Sequence, residues 1–266
     1  FTAAARHLLG ARGFTDEPAD VDPWLTDWRG RYRGRALGLA SPSTTDEVST
    51  LVRLCAAHRV PIVPQGGNTS MVGGATPDGH GRALVLSLRR MNRLRRLDPL
   101  AGLAVAEAGV VLSNLHDAAH EAGMRFPLSL GARGSATIGG LVSTNAGGIQ
   151  VLRHGTMRAL VQGLEAVLPD GSVLDQLAAF ASRSRKRNGR AGRRSNTTFR
   201  CPWPPCPTSW CRRRKRCSGA FPVLMPAVSA ISATATSIFM SALPQEPSRS
   251  AGSQRPARRS AASSMI

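Results

Sequence analysis

The stretch at residues 61–74, PIVPQGGNTSMVGG, constrains this chain more than any other. Val60, Ile62 and Val63 are strand formers, and they give way at once to Gly66, Gly67, Asn68, Thr69 and Ser70, with Gly73 and Gly74 close behind. A buried strand that opens into paired glycines lets main-chain N–H groups approach a ligand with no Cβ between them, and phosphate suits such amides. The spacing is neither G-x-G-x-x-G nor the Gly-Lys-Ser/Thr ending of a Walker loop, so neither common nucleotide fingerprint accounts for it. Two consecutive tight turns explain these residues equally well.

Residues 1–40 are mixed. His7, Leu8 and Leu9 can begin a short helix, Pro18 and Pro23 interrupt, and Trp24 and Trp28 bracket the entry to DWRGRYRGRAL. Arg29, Arg31, Arg33 and Arg35 alternate, so on a strand they share one face, either solvated or a nucleic-acid strip. Thr44 and Glu47 have the spacing of a capping box, and Val48, Leu51, Val52 and Cys55 recur at helical intervals. That predicts a helix over 45–58 leading into the strand at Val60, with Cys55 a small buried hydrophobe. Residues 83–88 and 103–108 predict short strands joined by MNRLRRLDPLAG, a charged connection with turn residues. Val111, Leu112, Leu115 and Ala119 predict an amphipathic helix over 112–122, closed by Gly123. His116 and His120 lie four apart on it, as zinc ligands could, but no third ligand accompanies them and packing explains both. Residues 164–168 and 172–174 flank Pro169, Asp170 and Gly171 as a hairpin.

The net charge of +19 is unevenly spread: residues 1–175 carry +3 and residues 176–266 carry +16. The length allows one large domain or two small ones with a sizeable core. No apolar run is long enough to span a bilayer, and the opening FTAAARHLLGARGF lacks the basic-then-apolar order of a secretory signal. The cytoplasm is therefore the expected compartment.

A second glycine-rich run, SLGARGSATIGGLVSTNAGG at residues 129–148, changes the meaning of the first. Its Gly131, Gly134, Gly139 and Gly140 keep the backbone close to something flat or charged, while Ser135, Thr137, Ser143, Thr144 and Asn145 supply donors and acceptors. A pair of crossing glycine-rich strands with satisfied hydroxyls fits the same residues. Taken together, DWRGRYRGRALGLASPST, VPIVPQGGNTSMVGGATPD, FPLSLGARGSATIGG, STNAGG and LEAVLPDGSVLD fall in family order. They resemble the FAD-binding domain of the vanillyl-alcohol-oxidase and p-cresol-methylhydroxylase (PCMH) type, in the branch of the D-lactate, glycolate and D-2-hydroxyglutarate dehydrogenases. The resemblance runs from about residue 24 to residue 175.

The resemblance implies an α+β fold: a lead-in at residues 1–40, then a two-lobed PCMH-type FAD-binding domain at residues 41–175. Its second lobe is expected to be incomplete, since the family's G-S-E-G-T-L-G-I block does not follow the hairpin. FAD is the implied cofactor, its pyrophosphate wrapped by Pro64, Gly66, Gly67, Asn68, Thr69, Ser70 and Gly74. Pro127, Gly131, Gly134, Ser135, Thr137, Gly139, Gly140, Ser143 and Asn145 would follow the isoalloxazine and the ribityl-pyrophosphate portion. With no Lys or Arg in the first loop, converging amide dipoles would have to match two phosphate charges. Some relatives attach FAD through a histidine in that loop; Asn68 stands there, which implies non-covalent binding, and Arg133 stands where the branch often carries an acid. The implied activity is oxidation of a small 2-hydroxy acid of D configuration, such as D-lactate, glycolate or D-2-hydroxyglutarate, with hydride leaving the α-carbon for the flavin. The electron acceptor has no signature in the sequence. A flavin-binding module without turnover is the alternative, and a basic nucleic-acid-binding protein a more distant one.

Residues 176–266 break the pattern. RSRKRNGRAGRR is a charge block, CPWPPCP is broken by proline, and few acids or apolar faces follow, so this tail reads as disordered. Cys201, Cys206, Cys211 and Cys217 could bind zinc, but no turn chemistry supports such a site. Back-translation offers another account. With permitted codons, AISATATSIFMSA at residues 230–242, read from the last base of each codon, gives HLGDGNIHFHVS. That string is similar to the H-x-G-D-G-N-x-H motif in the substrate domain of these dehydrogenases, and two neighbouring stretches behave alike in the same frame. The tail is thus expected to be a frame-shifted remnant of that domain and the chain inactive as encoded; a nucleotide sequence whose codons do not spell the motif ends this reading.

Overall fold

The computed structural model describes residues 1–175, 235–241 and 243–244. Helix α1 (Thr2–Leu9) buries Ala5 and Leu9, and β1 (Phe14–Thr15) follows. Pro18, expected to interrupt, instead occupies the first turn of α2 (Pro18–Val21), where the N–H it lacks would have had no helical partner. The four alternating arginines do not share a strand face. The chain turns at Gly30 (φ 68°), because the nearly buried Asp27 carboxylate accepts the Tyr32 N–H at 2.6 Å and the Arg29 N–H at 3.2 Å. The Tyr32 amide above all holds Asp27 below the usual carboxylate range, and Arg33 is drawn off to Asp22.

Strand β2 (Ala36–Ala40) leads into α3 (Thr45–Ala57). Thr44 Oγ1 accepts the Glu47 N–H at 3.1 Å, and the Glu47 carboxylate reaches back to the Ser43 N–H at 2.6 Å, so the expected cap forms. Val48, Leu51, Val52 and Cys55 are buried on the inner face, and burial pushes the Cys55 thiol up to about 12. Strand β3 (Ile62–Pro64) and the fully buried β4 (Ala83–Leu86) complete a four-stranded sheet, order β1-β2-β4-β3. Strands β2, β4 and β3 are parallel, so the loops that begin at Ser41, Ser87 and Gln65 all emerge at one end of the sheet. Ligands in sheets of this kind sit outside the carboxyl ends of the strands.

The second lobe is antiparallel. Strands β5 (Leu94–Asp98) and β6 (Leu103–Glu107) pair directly, so the connection expected between two strands is itself a strand. Arg93, Arg95 and Arg96 obscure it in the sequence, and a register shift between Leu94 and Arg96 breaks its alternation. Arg93 and Arg95 both reach the fully buried Glu107 at 3.1 Å. Burial works to raise the Glu107 pKa, but the hydrogen bonds from Arg93 and Arg95 prevail and hold it below the ordinary carboxylate value. Helix α4 (Leu112–Glu121) is closed at Gly123 (φ 70°), and β7 (Met124–Arg125) follows. Short helices α5 (Ile138–Ser143), α6 (Val151–His154) and α7 (Met157–Leu160) precede the hairpin of β8 (Val161–Val167) and β9 (Val173–Asp175). Ser49 Oγ on α3 donates to the Gly171 carbonyl in that hairpin at 2.5 Å, which ties the two lobes together.

Between β6 and β8, antiparallel to both, lies β10 (Ala235–Ser241), giving the order β5-β6-β10-β8-β9, and β11 (Leu243–Pro244) pairs with β7. Part of the tail read as disordered is therefore a central strand, for which Thr236, Ile238 and Phe239 carry the propensity. Met240 is fully buried and joins Leu112, Leu115, Phe126, Ile138 and Met157 in the core of this lobe. The charge block, the proline-broken stretch and Cys201, Cys206, Cys211 and Cys217 lie outside the described residues.

Candidate functional site

The two glycine-rich runs meet. A Cβ added to Gly66 would come within 2.3 Å of Thr137 Oγ1, and one added to Gly67 within 1.8 Å of the Ser135 carbonyl oxygen. These glycines are small because the second run lies directly on them, a reason distinct from ligand approach. Gly139 is packed in the same way against Ala108, 2.8 Å from its Cβ. The first run is also held from its other side. Gln65, nearly buried, donates through Nε2 to the carbonyls of Trp24 at 3.0 Å and Ala75 at 2.8 Å, tying the start of the loop to its end and to the lead-in. Asn68 takes the left-handed conformation (φ 51°) and donates through Nδ2 to the Thr26 carbonyl at 2.8 Å, while Trp28 Nε1 donates to the Ser70 carbonyl at 3.1 Å.

Along this contact runs a cleft of about 610 Å³. Of the expected residues, Pro64, Gly66, Gly67, Asn68, Thr69, Ser70 and Gly74 from the first run line it, and Thr137, Gly139, Gly140 and Ser143 from the second. Five others are placed off the wall. Ser135 turns its carbonyl toward Gly67, Asn145 (φ 50°) spends its Oδ1 on the Arg158 N–H at 3.0 Å, and Pro127 sits between the buried Phe126 and Leu128. Gly131 and Gly134 belong to the turn before α5, with nothing within 4 Å of an added Cβ. The crossing-strand alternative for the second run is not what forms: residues 138–143 are the helix α5, started by the Ile138 and Gly139 N–H bonds to Val110 and Ala108.

Sequence reasoning missed the wall between the runs. Ser87, Leu88, Arg89 and Gly109 line the cleft, and Gly109 is pressed so closely that an added Cβ would lie 2.1 Å from the Leu88 carbonyl oxygen. These come from the loop after β4 and the end of β6, which carry no glycine signature; the parallel pairing of β3 with β4 was the available clue. Arg133, flagged for its charge, is not on the wall. His116 donates its Nε2 proton to the Leu128 carbonyl at 2.9 Å, and burial pushes its pKa below the ordinary value. That nitrogen is spent on the fold, and no metal-ligating cluster that includes His116 and His120 occurs among the described residues.

A cleft of this size, with main-chain amides and hydroxyls beside an apolar wall, fits a dinucleotide cofactor. A family model described as FAD binding domain matches residues 36–176. Curated relatives include D-2-hydroxyglutarate dehydrogenase, mitochondrial, of Bos taurus, 43% identical over 178 residues, 67% of this chain and 32% of the relative. The mitochondrial enzyme of the same name from Arabidopsis thaliana is 39% identical over 175 residues, 66% of this chain and 31% of the relative. D-2-hydroxyglutarate--pyruvate transhydrogenase DLD3 of Saccharomyces cerevisiae is 40% identical over 163 residues, 61% and 32%. The chain thus spans about a third of the length of these relatives. Among solved structures, alkyldihydroxyacetonephosphate synthase superposes with TM-score 0.66 at 17% identity, covering 91% of this chain and 40% of that one. 6-Hydroxy-D-nicotine oxidase from Arthrobacter nicotinovorans does so with TM-score 0.60 at 18% identity, covering 89% and 43%. The cytoplasmic expectation is corrected by these names: the Bos taurus and Arabidopsis thaliana relatives are mitochondrial enzymes.

Proposed function

Because the chain belongs to the family of FAD binding domains, we propose that it supplies the cofactor-holding part of an FAD-linked dehydrogenase acting on a small D-2-hydroxy acid. What carries the reading is the meeting of the two glycine-rich runs on one cleft, where Gly66 and Gly67 let the second run lie directly on the first. The amides of residues 66–70 and the hydroxyls of Thr69, Ser70, Thr137 and Ser143 are the groups that would hold FAD there. When bound, FAD supplies the acceptor for the α-hydrogen of the hydroxy acid. The protein's own part is to orient: Gln65 and Asn68 fix the loop, and Leu86, Leu88, Leu130 and Leu141 would give a bound flavin an apolar wall. Asn68 offers no nucleophile for a covalent flavin link, and its amide is already tied to Thr26. The relatives' names support D-2-hydroxyglutarate as the first substrate to try.

Purified protein incubated with FAD and desalted is expected to retain flavin absorbance and to release the flavin on denaturation. Anaerobic addition of D-2-hydroxyglutarate or D-lactate then tests turnover by bleaching of the flavin bands. Retention without bleaching favours the non-catalytic flavin-binding module, and failure to retain any flavin overturns both. We propose further that residues 176–266 are an out-of-frame counterpart of the relatives' substrate domain, which the nucleotide sequence decides.

A further inference from the structure

Arg89 is the one charged residue that lines the cleft among the described residues. We propose that Arg89 is the cation that binds the cofactor's diphosphate. This rests on the FAD reading above and adds to it a residue from outside both glycine-rich runs.

The first argument is charge. Residues 65–74 contain no Lys or Arg, and a diphosphate brought among largely apolar walls needs a counter-charge as well as amide dipoles. The second is position. Strands β3 and β4 are parallel with Pro64 opposite Leu86, and the Gln65 N–H bonds the Leu86 carbonyl at 2.9 Å. The loop bearing Arg89 therefore leaves the sheet beside the loop bearing Gly66 and Gly67. The third is orientation. The Arg89 guanidinium lies 5.0 Å from the centre of the Trp24 ring, and the Trp24 carbonyl is held by Gln65 Nε2, the same group that pins the glycine loop at Ala75. The platform under the arginine and the two ends of the loop are one hydrogen-bonded unit.

Its neighbours are committed elsewhere. Arg90 donates to the Ser41 carbonyl at 2.9 Å, and Arg93 and Arg95 serve Glu107. Arg89 pairs with no carboxylate among the described residues. A guanidinium laid on an indole keeps its N–H edge free, and that edge matches two phosphate oxygens at once.

The test titrates the full chain, freed of flavin, with FAD at several ionic strengths, following flavin fluorescence, for the wild type, Arg89→Gln and Arg89→Lys. Arg89→Gln is expected to weaken FAD binding about tenfold or more and to flatten its salt dependence. Arg89→Lys is expected to keep the salt dependence and recover part of the affinity. Wild-type affinity in Arg89→Gln overturns the proposal and leaves the FAD reading intact, as does a loss of affinity with the salt dependence unchanged. If the wild type itself binds no FAD, the cofactor reading fails and this proposal with it. Should Arg89→Gln fail to fold by circular dichroism, the wild type and Arg89→Lys decide: salt-independent FAD binding in both overturns the proposal.

Discussion

Replacing Gly67 by alanine tests the contact on which the cleft depends. A Cβ there would lie 1.8 Å from the Ser135 carbonyl oxygen and 2.5 Å from its carbon, main-chain atoms that no rotamer change can move. To restore ordinary contact at 3.4 Å, the two runs must part by about 1.6 Å. Ser135 cannot yield locally, because its own N–H bonds the Ala132 carbonyl at 3.0 Å and the next N–H bonds the same oxygen at 2.8 Å. Forcing in one methyl group under such constraint costs about 1–3 kcal/mol. In a unit of this size about 3 kcal/mol lowers Tm by roughly 6–12 °C. Gly74→Ala is the matched control: nothing lies within 4 Å of an added Cβ, so its Tm should equal the wild type's. Thermal unfolding followed by circular dichroism, with an FAD titration beside it, measures both consequences. A Gly67→Ala protein that melts and binds FAD like the wild type would show that the runs do not touch at this point.

Gln65→Leu keeps the volume but strands the Trp24 and Ala75 carbonyls; urea denaturation should show a loss of about 2 kcal/mol. Glu107→Gln should cost about 1–3 kcal/mol at neutral pH. The folded pKa of Glu107 is depressed, so its contribution is present above the unfolded value near 4.5 and is lost as pH falls through the folded one. The Tm of the wild type should therefore fall more steeply below pH 4.5 than that of Glu107→Gln. Met240→Ala should destabilise the second lobe by about 2–5 kcal/mol, read by chemical denaturation; an unchanged midpoint would mean that this strand is not seated in the core.

The first lobe was legible because its signals are local: the Thr44–Glu47 cap, the helical spacing from Val48 to Cys55 and the strand before Gly66 each act within a few residues. What escaped was set by pairing across long distances. Strand β5 hides behind three arginines, two of which exist to satisfy a carboxylate on the next strand. Gly139 and Gly140 argue against a helix by propensity, yet α5 forms, started by the Ile138 and Gly139 N–H bonds to Val110 and Ala108, and Ala108 leaves no room for a side chain at Gly139. Arg89 has no motif of its own and gains its place only from the parallel register of β3 and β4. Gly66, Gly67 and Gly74 of the first run line the cleft, but for Gly66 and Gly67 the crowding comes from the second run.

The central place of β10 also bears on how the chain is made. Asp175, the last residue of β9, and Ala235, the first of β10, are separated by a long stretch that a ribosome needs several seconds to translate, at roughly 5–20 residues per second. Throughout that interval the nascent hairpins β5–β6 and β8–β9 present bare edges to each other and to any passing polypeptide. Yield should therefore respond to chaperone supply and to growth temperature more strongly than the melting point of the finished protein would suggest.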